Sequence, residues 1–588
     1  MLRSVQQKDS AMLDATCKPL LPLLVLALVL CCFACGARGN ASRGQEFADD
    51  DSSANPPADD DDNDNDNDND DDNDDDNNDD DTAFHHILPR SNPPAHLYVL
   101  DIGGLAPEIT YLAASLQGLV ARMAPEIYLT HVWPECPECT FLDFYASQYG
   151  ITSEPAADVW ALVDRFQDRF AGAVVYDPNL PETLDVATTI AGLENLVILH
   201  PDLLAEAQTH GVAVVEDLRG RWTDKFAAFD WEVANLLPQC TTVAVADLDP
   251  TLLGARDYLI ENRIFTFRYK AIAGEAARLA AILELFPQNI PVLGYLAANG
   301  SEEAAGEDVL SAAGKFLLAS DFAPNLSVHS GIDVAPAAYV QPPDPPPDLT
   351  PQQIGDSVFV AFAFSDGDNY SIPLRTLLQE WSDPARGQVP LSWTIPGASP
   401  TLIAGVADYY YQNRSPLDRF MTMCGVGYNY PTLYPDRPAF ADLSAAYARY
   451  LDLDAIWWLD PLLDVQLPDP LETFLDRLAG EDSRLRGYAS GYSNGRKTHD
   501  FTTNGTPLLY NVNSYDDDPT TAIADAINAA KAGKQPGAPA YLFFGMSIWT
   551  VTPSDIAAGL AAFQDDETVR PLLLSQMFDL MRVYAPGW

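Results

Sequence analysis

The stretch Val358-Phe-Val-Ala-Phe-Ala-Phe364 runs straight into Ser365-Asp366-Gly367-Asp368-Asn369-Tyr370. An apolar run of strand length that ends on acids and an amide reads as a buried strand delivering polar groups at its C-terminal end. Six further candidate strands begin near Val389, Phe420, Ala455, Leu485, Pro507 and Ala540. They recur at intervals of roughly 20 to 35 residues, the length of one βα unit. Amphipathic helical patterns fill the gaps at 372–381, 401–411, 440–451, 471–478 and 522–530. Seven such units in succession predict a C-terminal β/α barrel of seven or eight strands, over residues 351–588.

Working back towards the N-terminus, Gln341-Pro-Pro-Asp-Pro-Pro-Pro-Asp348 reads as a stiff linker over 341–350. Before it, short apolar runs at 97–101, 127–130, 172–176, 196–199, 212–215, 242–246, 290–295 and 316–319 alternate with helical patterns such as 109–122 and 159–170. That alternation predicts one or more α/β domains with a mostly parallel sheet over 95–340. Gly103-Gly104 after the first strand lacks the rest of a dinucleotide fingerprint, so nucleotide binding there is rejected.

The chain has 588 residues and a formal net charge of −52, unevenly spread. Nineteen aspartates fall between Asp49 and Asp81. A run of Asp and Asn this poor in apolar residues cannot offset its ordering entropy, so 37–94 reads as a disordered spacer. No basic stripe occurs anywhere, which argues against nucleic acid as a partner. Lys18 precedes an apolar run from Leu20 to Phe33, followed by Ala34-Cys35-Gly36. The run is short for a membrane span and suits an export signal over 1–36. A small residue before Cys35 resembles a bacterial lipobox, although Cys32 stands where leucine is usual; ordinary cleavage near Ala37 is the alternative. The expectation is an exported lipoprotein, anchored at the outer membrane and facing the cell surface or periplasm, with Cys35 as its only attachment to the membrane. Cys136 and Cys139 form a CxxC with no second pair for zinc, which leaves a local disulfide or inert thiols. No metal or cofactor is expected.

Barrel sites gather at the C-terminal ends of strands. Past the successive strands stand Asp366, Asp368 and Asn369, then Trp393, then Gly425-Val-Gly427-Tyr428-Asn429-Tyr430-Pro431, then Trp457-Trp458-Leu459-Asp460. Later strand ends supply Tyr492-Ser493-Asn494, Ser514-Tyr515-Asp516 and Trp549. Carboxylates, amides and aromatic rings on one rim suit a sugar, which presents hydroxyl groups around a ring and apolar faces above and below. Asp366, Asp368 and Asp460 are the candidate catalytic acids, because glycoside hydrolysis uses one protonated and one ionised carboxyl group. Asn369, Trp393, Tyr428, Tyr430, Trp458 and Trp549 are the candidate sugar contacts. Asp-Gly-Asp-Asn is also a turn and helix-cap sequence, and it lacks the ligand spacing of an EF-hand. Trp457 and Trp458 point to opposite sides of a strand, so at least one serves packing.

The segment Gly425–Pro431 matches in full the motif that names the GxGYxYP family of putative glycoside hydrolases. The Ser365–Asn369 segment, the Trp393 strand and Arg386-Gly387 resemble neighbouring parts of that domain, and Ser115-Leu-Gln-Gly-Leu-Val-Ala-Arg122 resembles the opening helix of the family's N-terminal partner. The resemblance covers roughly Leu97 to the C-terminus. It implies a polysaccharide or oligosaccharide partner and supplies no catalytic residues. The expected function is hydrolysis of an extracellular or periplasmic polysaccharide by two carboxylates. The alternatives are a carbohydrate-binding adhesion protein and a metal-dependent hydrolase of another bond type.

Overall fold

The computed structural model describes residues 84–271, 274–296, 300–460, 469–480, 484–491, 497–513 and 518–584. The leader with Cys35, the acidic spacer up to residue 83, and the strand-end segments 492–494 and 514–516 lie outside the described residues.

The N-terminal strands form three small parallel sheets. The first holds β1 (His96–Asp101), β2 (Ile127–Thr130) and β3 (Thr152–Pro155), in the order β2-β1-β3. The second holds β4 (Gly172–Val175), β5 (Leu196–Leu199) and β6 (Val214–Asp217), in the order β5-β4-β6. The third holds β7 (Val245–Asp247), β8 (Phe265–Phe267), β9 (Ile290–Gly294) and β10 (Lys315–Ala319), in the order β10-β9-β7-β8. Branched and aromatic residues dominate β2, β5 and β8, β4 is Gly-Ala-Val-Val, and each of these strands is buried along its whole length. Helices cover the sheets, as parallel pairing requires. Cys136 and Cys139 are joined in a disulfide at the start of the helix Pro137–Tyr149.

The C-terminal strands build one large curled sheet. They are β11 (Val358–Phe364), β12 (Leu391–Thr394), β13 (Asp418–Met423), β14 (Ala455–Trp458), β15 (Gly487–Ser490), β16 (His499–Phe501), β17 (Pro507–Tyr510), β18 (Ala540–Met546) and β19 (Val569–Pro571). Their order is β16-β17-β15-β14-β13-β12-β11-β18, with β19 beside β11. All pairings are parallel except β16 with β17. Every residue of β11 is buried. Phe359 stacks on Tyr541 and Phe362 on Phe544 of β18. The sheet curls as a half-barrel. Its flanks approach at one parallel bridge, Asn511 to Phe543, and no continuous ladder joins β17 to β18 among the described residues. The β/α expectation holds as a curled parallel sheet; the closed barrel is not reproduced as a full ladder.

The proline-rich segment is pinned along the N-terminal side of the curled sheet. The Phe420 amide donates to Gln341 Oε1 at 2.7 Å, and Gln341 Nε2 donates to the carbonyls of Phe420 and Asp452 at 3.2 and 2.8 Å. Asp344 pairs with Arg486 at 2.9 Å and Arg419 at 3.4 Å. These contacts fix a segment whose composition alone suggests a spacer. Residues 80–588 cluster as one compact unit.

Candidate active site

The acid-bearing loop leaves β11 in strained backbone. Asp366 has φ 60° and Cys424, just past β13, has φ 54°. Non-glycine residues in the left-handed region are uncommon and concentrate at functional sites. Gly367 packs so tightly on the end of β12 that a Cβ there would lie 2.0 Å from the Thr394 carbonyl oxygen. Thr394 Oγ1 accepts from the Gly367 amide at 3.0 Å and donates to the Phe364 carbonyl at 2.6 Å. The Asp366 amide reaches Met423 Sδ at 2.8 Å, which ties the loop to β13. Ser365 Oγ donates to Asp366 Oδ2.

The motif loop after β13 crosses to the third N-terminal sheet. Leu317 of β10 and Tyr428 form an antiparallel bridge. Gly427 sits where a Cβ would lie 2.6 Å from the Phe316 ring, so only glycine lets the two backbones meet. The Tyr430 amide donates to Ser311 Oγ at 2.8 Å. Ser311 belongs to the helix Gly300–Ala312, on which Glu303, Glu307 and Ser311 share one face at four-residue spacing. Tyr295 Oη donates to Glu303 Oε2 at 2.6 Å, and the Tyr428 hydroxyl is near enough to oppose the upward shift of the same carboxyl group. The Tyr428 and Tyr430 hydroxyls lie 3.4 Å apart, their rings edge to face at 5.8 Å.

Four carboxyl groups from two regions of the chain therefore share one neighbourhood. Burial, the Asp366 charge and then Glu303 push the Asp368 carboxyl up to about 8, so it is mostly protonated at neutral pH. Burial and Asp366 raise Glu303 while its tyrosine partners oppose the shift. Burial, followed by Glu303 and Asp368, pushes Glu307 well above the usual carboxylate range. Glu307 Oε1 accepts from Ser311 at 3.3 Å, and its Oε2 has no hydrogen-bond partner among the described residues.

The sequence-predicted residues divide into two groups. Asp366, Asp368, Asn369, Tyr428 and Tyr430 come together. Asn369 Oδ1 accepts from the Ser371 amide at 2.9 Å, so it also shapes the turn. Asp460 is fully buried, and its two oxygens accept from the Thr432 amide at 2.8 Å and hydroxyl at 3.0 Å. It braces the segment following the motif, and its charge is not among those acting on Asp368. Trp393 is corrected from sugar platform to core: it is fully buried, stacks on Phe364 at 4.7 Å and donates Nε1 to Asp418 at 2.8 Å. Trp458 is corrected likewise, being fully buried edge-on against Phe474 of the helix layer. Trp549 follows β18 and is 51% exposed, free to present a flat face.

Glu303, Glu307 and Tyr295 were not expected. They lie before the proline-rich segment, and glutamates in an alanine-rich helix read as a solvated face. The four-residue repeat of Glu303, Glu307 and Ser311 was the available signal. Among the described residues, three His, Cys, Asp or Glu ligand atoms lie within 4.8 Å of one another only at His131, Cys136 and Cys139. The disulfide occupies both of those thiols. The carboxylates of the site are more widely spaced than that.

Residues 356–582 match the GxGYxYP putative glycoside hydrolase C-terminal domain, and 96–168, 170–240 and 241–331 match the first, second and third N-terminal domains of the same family. A crystal structure of a putative hydrolase from Bacteroides thetaiotaomicron VPI-5482 is similar at TM-score 0.75 and 21% identity, covering 85% of this chain and 97% of that one. This identity speaks for a shared fold. Two further structures, a putative polysaccharide deacetylase from Mycobacterium smegmatis and a probable one from Pseudomonas aeruginosa PAO1, align at TM-scores of 0.29 and 0.26 with 13% and 15% identity. They cover 41% and 42% of this chain, and 95% and 96% of their own. Scores that low carry no statement about fold. No curated protein matches the chain. Over residues 96–582, from the first small sheet through the motif loop to the last helix, the chain belongs to the GxGYxYP family of putative glycoside hydrolases.

Proposed function

We propose that the protein hydrolyses glycosidic bonds of an extracellular or periplasmic polysaccharide, in a cleft between the C-terminal end of the curled sheet and the helix Gly300–Ala312. The observation that carries this reading is a pair of unlike carboxyl groups. Burial and the Asp366 charge push the Asp368 carboxyl up to about 8, whereas tyrosine hydroxyls beside Glu303 oppose the upward shift that burial gives it.

In this reading Asp368 gives its proton to the glycosidic oxygen as the bond to the anomeric carbon breaks. Glu303 either takes a proton from the attacking water or attacks that carbon itself, in which case a water that gives its proton back to Asp368 then cleaves the glycosyl ester and frees Glu303. Asp366 keeps the Asp368 pKa high by charge repulsion. Tyr428 and Tyr430 border the sugar, with Asn369 at the mouth and Trp549 as an outer platform. We take 351–588 as a β/α barrel of seven or eight strands whose flanks meet at Asn511 and Phe543, following an N-terminal α/β region over 95–340. The same proposal has the chain exported and anchored through lipidated Cys35, with the acidic spacer between anchor and enzyme.

The test is release of reducing ends from a polysaccharide panel by the wild-type protein, Asp368→Asn and Glu303→Gln. Cleavage by the wild type and its loss in both variants supports the reading. Glycan binding without any cleavage would replace it with an adhesion role for the same cleft.

A further inference from the structure

We propose that His131, Cys136 and Cys139 form a zinc site, closed while the two cysteines are joined and opened when a dithiol reduces them. The proposal concerns the first N-terminal sheet and does not depend on the glycan-cleaving reading.

The three side chains converge at the carboxyl ends of two parallel strands, where open α/β sheets take their ligands. β1 ends at Asp101, and β2 ends at Thr130, one residue before His131. Cys136 and Cys139 stand at the start of the helix Pro137–Tyr149, which follows β2. One ligand atom from each of His131, Cys136 and Cys139 lies within 4.8 Å of the other two.

His131 is built into this position. Its Nδ1 lies 3.1 Å from Asp101 Oδ1, and the same oxygen accepts from the Gly103 amide at 2.8 Å. Gly103 leaves room for the ring, since a Cβ there would lie 2.9 Å from the His131 Cβ. A carboxylate that fixes the ring is the usual support of a zinc-binding histidine. The His131 side chain is 40% exposed, which gives a metal ion an entry path and leaves a position for water.

A structural staple does not account for the pair. A disulfide stabilises least when it closes a short loop, and these cysteines are three residues apart. Hydrogen bonds already hold the turn. The Cys136 amide donates to the Trp133 carbonyl and the Cys139 amide to the Cys136 carbonyl, both at 3.0 Å. The Tyr128 hydroxyl donates to the Glu138 carbonyl, also at 3.0 Å. The turn should therefore outlast reduction. Two thiolates and an imidazole suit zinc, whereas calcium and magnesium take oxygen ligands. With His131 as third ligand and water as fourth, no second cysteine pair is needed.

An oxidising compartment preserves the closed form. A dithiol opens it by breaking the bond between the sulfurs, passing them two electrons and two protons and leaving as its own disulfide. The two thiols then lose their protons to water as zinc binds.

The whole protein, oxidised or reduced by a dithiol that is then removed without air, is titrated with cobalt(II) as a coloured probe for zinc. The reduced form should bind about one equivalent with the absorption of tetrahedral thiolate coordination, and zinc should displace it. The oxidised form should take up none at this site. Cys136→Ser should abolish the thiolate band, which excludes the remaining cysteines as its source. His131→Ala should weaken zinc binding about ten-fold or more, and Asp101→Asn by about 10–100-fold. Both of those side chains are partly exposed, so the variants should keep the wild-type circular dichroism. A reduced protein that binds no cobalt, or binding unchanged by His131→Ala, would overturn the proposal. So would loss of the fold on reduction, because the pair would then be a staple.

Discussion

Leu317 and Tyr428 exchange both backbone hydrogen bonds, the Leu317 amide donating at 2.8 Å and the Tyr428 amide returning the bond at 2.9 Å. The motif that names the family is thus an extra partner for the edge strand of another sheet. Gly427 allows that approach, and the motif's tyrosines occupy the junction.

Gly427→Ala tests the junction. The new methyl carbon would lie 2.6 Å from the Phe316 ring and 2.8 Å from the Leu317 carbonyl oxygen. Because one of these neighbours is backbone, relief requires the sheets to part. Overpacking of this kind costs about 1–3 kcal/mol. Denaturant unfolding should show that loss, and glycan binding should weaken because Tyr428 and Glu303 no longer meet.

Asp368→Asn should reduce turnover by about two to four orders of magnitude, the usual contribution of a general acid. Wild-type rates should fall as pH rises through about 8, where Asp368 loses its proton. The same shift predicts stability. The folded pKa lies above that of an unfolded aspartate, so this group's contribution is complete below about 4 and is lost as pH rises through about 8. The amide that replaces this carboxyl cannot ionise, so the variant should be the more stable protein at about pH 8–9 and lose that advantage towards about pH 4. A variant equal to wild type in stability at both ends would contradict the placement of this acid.

Glu303→Gln and Asp460→Asn should part company. Glu303 accepts from Tyr295 after β9 and lies near the motif's Tyr428, so its amide variant should lose turnover while remaining folded. Asp460 accepts from the amide and the hydroxyl of Thr432, so its variant should lower thermal stability first. If Asp460→Asn abolished turnover in a fully stable protein, the roles would have to be exchanged.

Asp344→Ala should destabilise the protein although it lies in a segment that reads as a spacer. Arg419 and Arg486 both pair with it, and the Ser575 hydroxyl donates to it. Removing one member of a buried charge network costs about 3–5 kcal/mol. Denaturant unfolding measures this, and a change within error would mean the segment is not held as described.

Cys35→Ser should release the protein from membranes of an expressing bacterium, and mass spectrometry of the wild-type N-terminus should find an acylated cysteine. An unmodified N-terminus beyond residue 35 would end the lipoprotein proposal.

The repeat of strand and helix was legible because burial on both faces leaves runs such as 358–364 and 540–546 with little but apolar residues. The short strands Thr152–Pro155 and Val569–Pro571 were not, since the first is exposed throughout and the second is three residues long. The half of the site on β11 and the motif loop was readable from strand-end position. Trp393 and Trp458 misled because a tryptophan near a strand end looks the same whether it faces the rim or the helix layer. Glu303 was invisible for a different reason: its chemistry appears only when a helix placed before the proline-rich segment is laid against a loop placed after it.

That arrangement has a consequence for heredity as well as for chemistry. A gene fragment beginning at residue 356 would encode the whole curled sheet and the family motif, and would look like a complete hydrolase module. It would lack Tyr295, Glu303 and Glu307. If Glu303 acts as proposed, shuffling that fragment onto another N-terminal partner would yield an inactive scaffold unless the newcomer brought its own carboxylate. On the proposed reading, the segments on either side of the proline-rich stretch must be inherited together for the site to be complete.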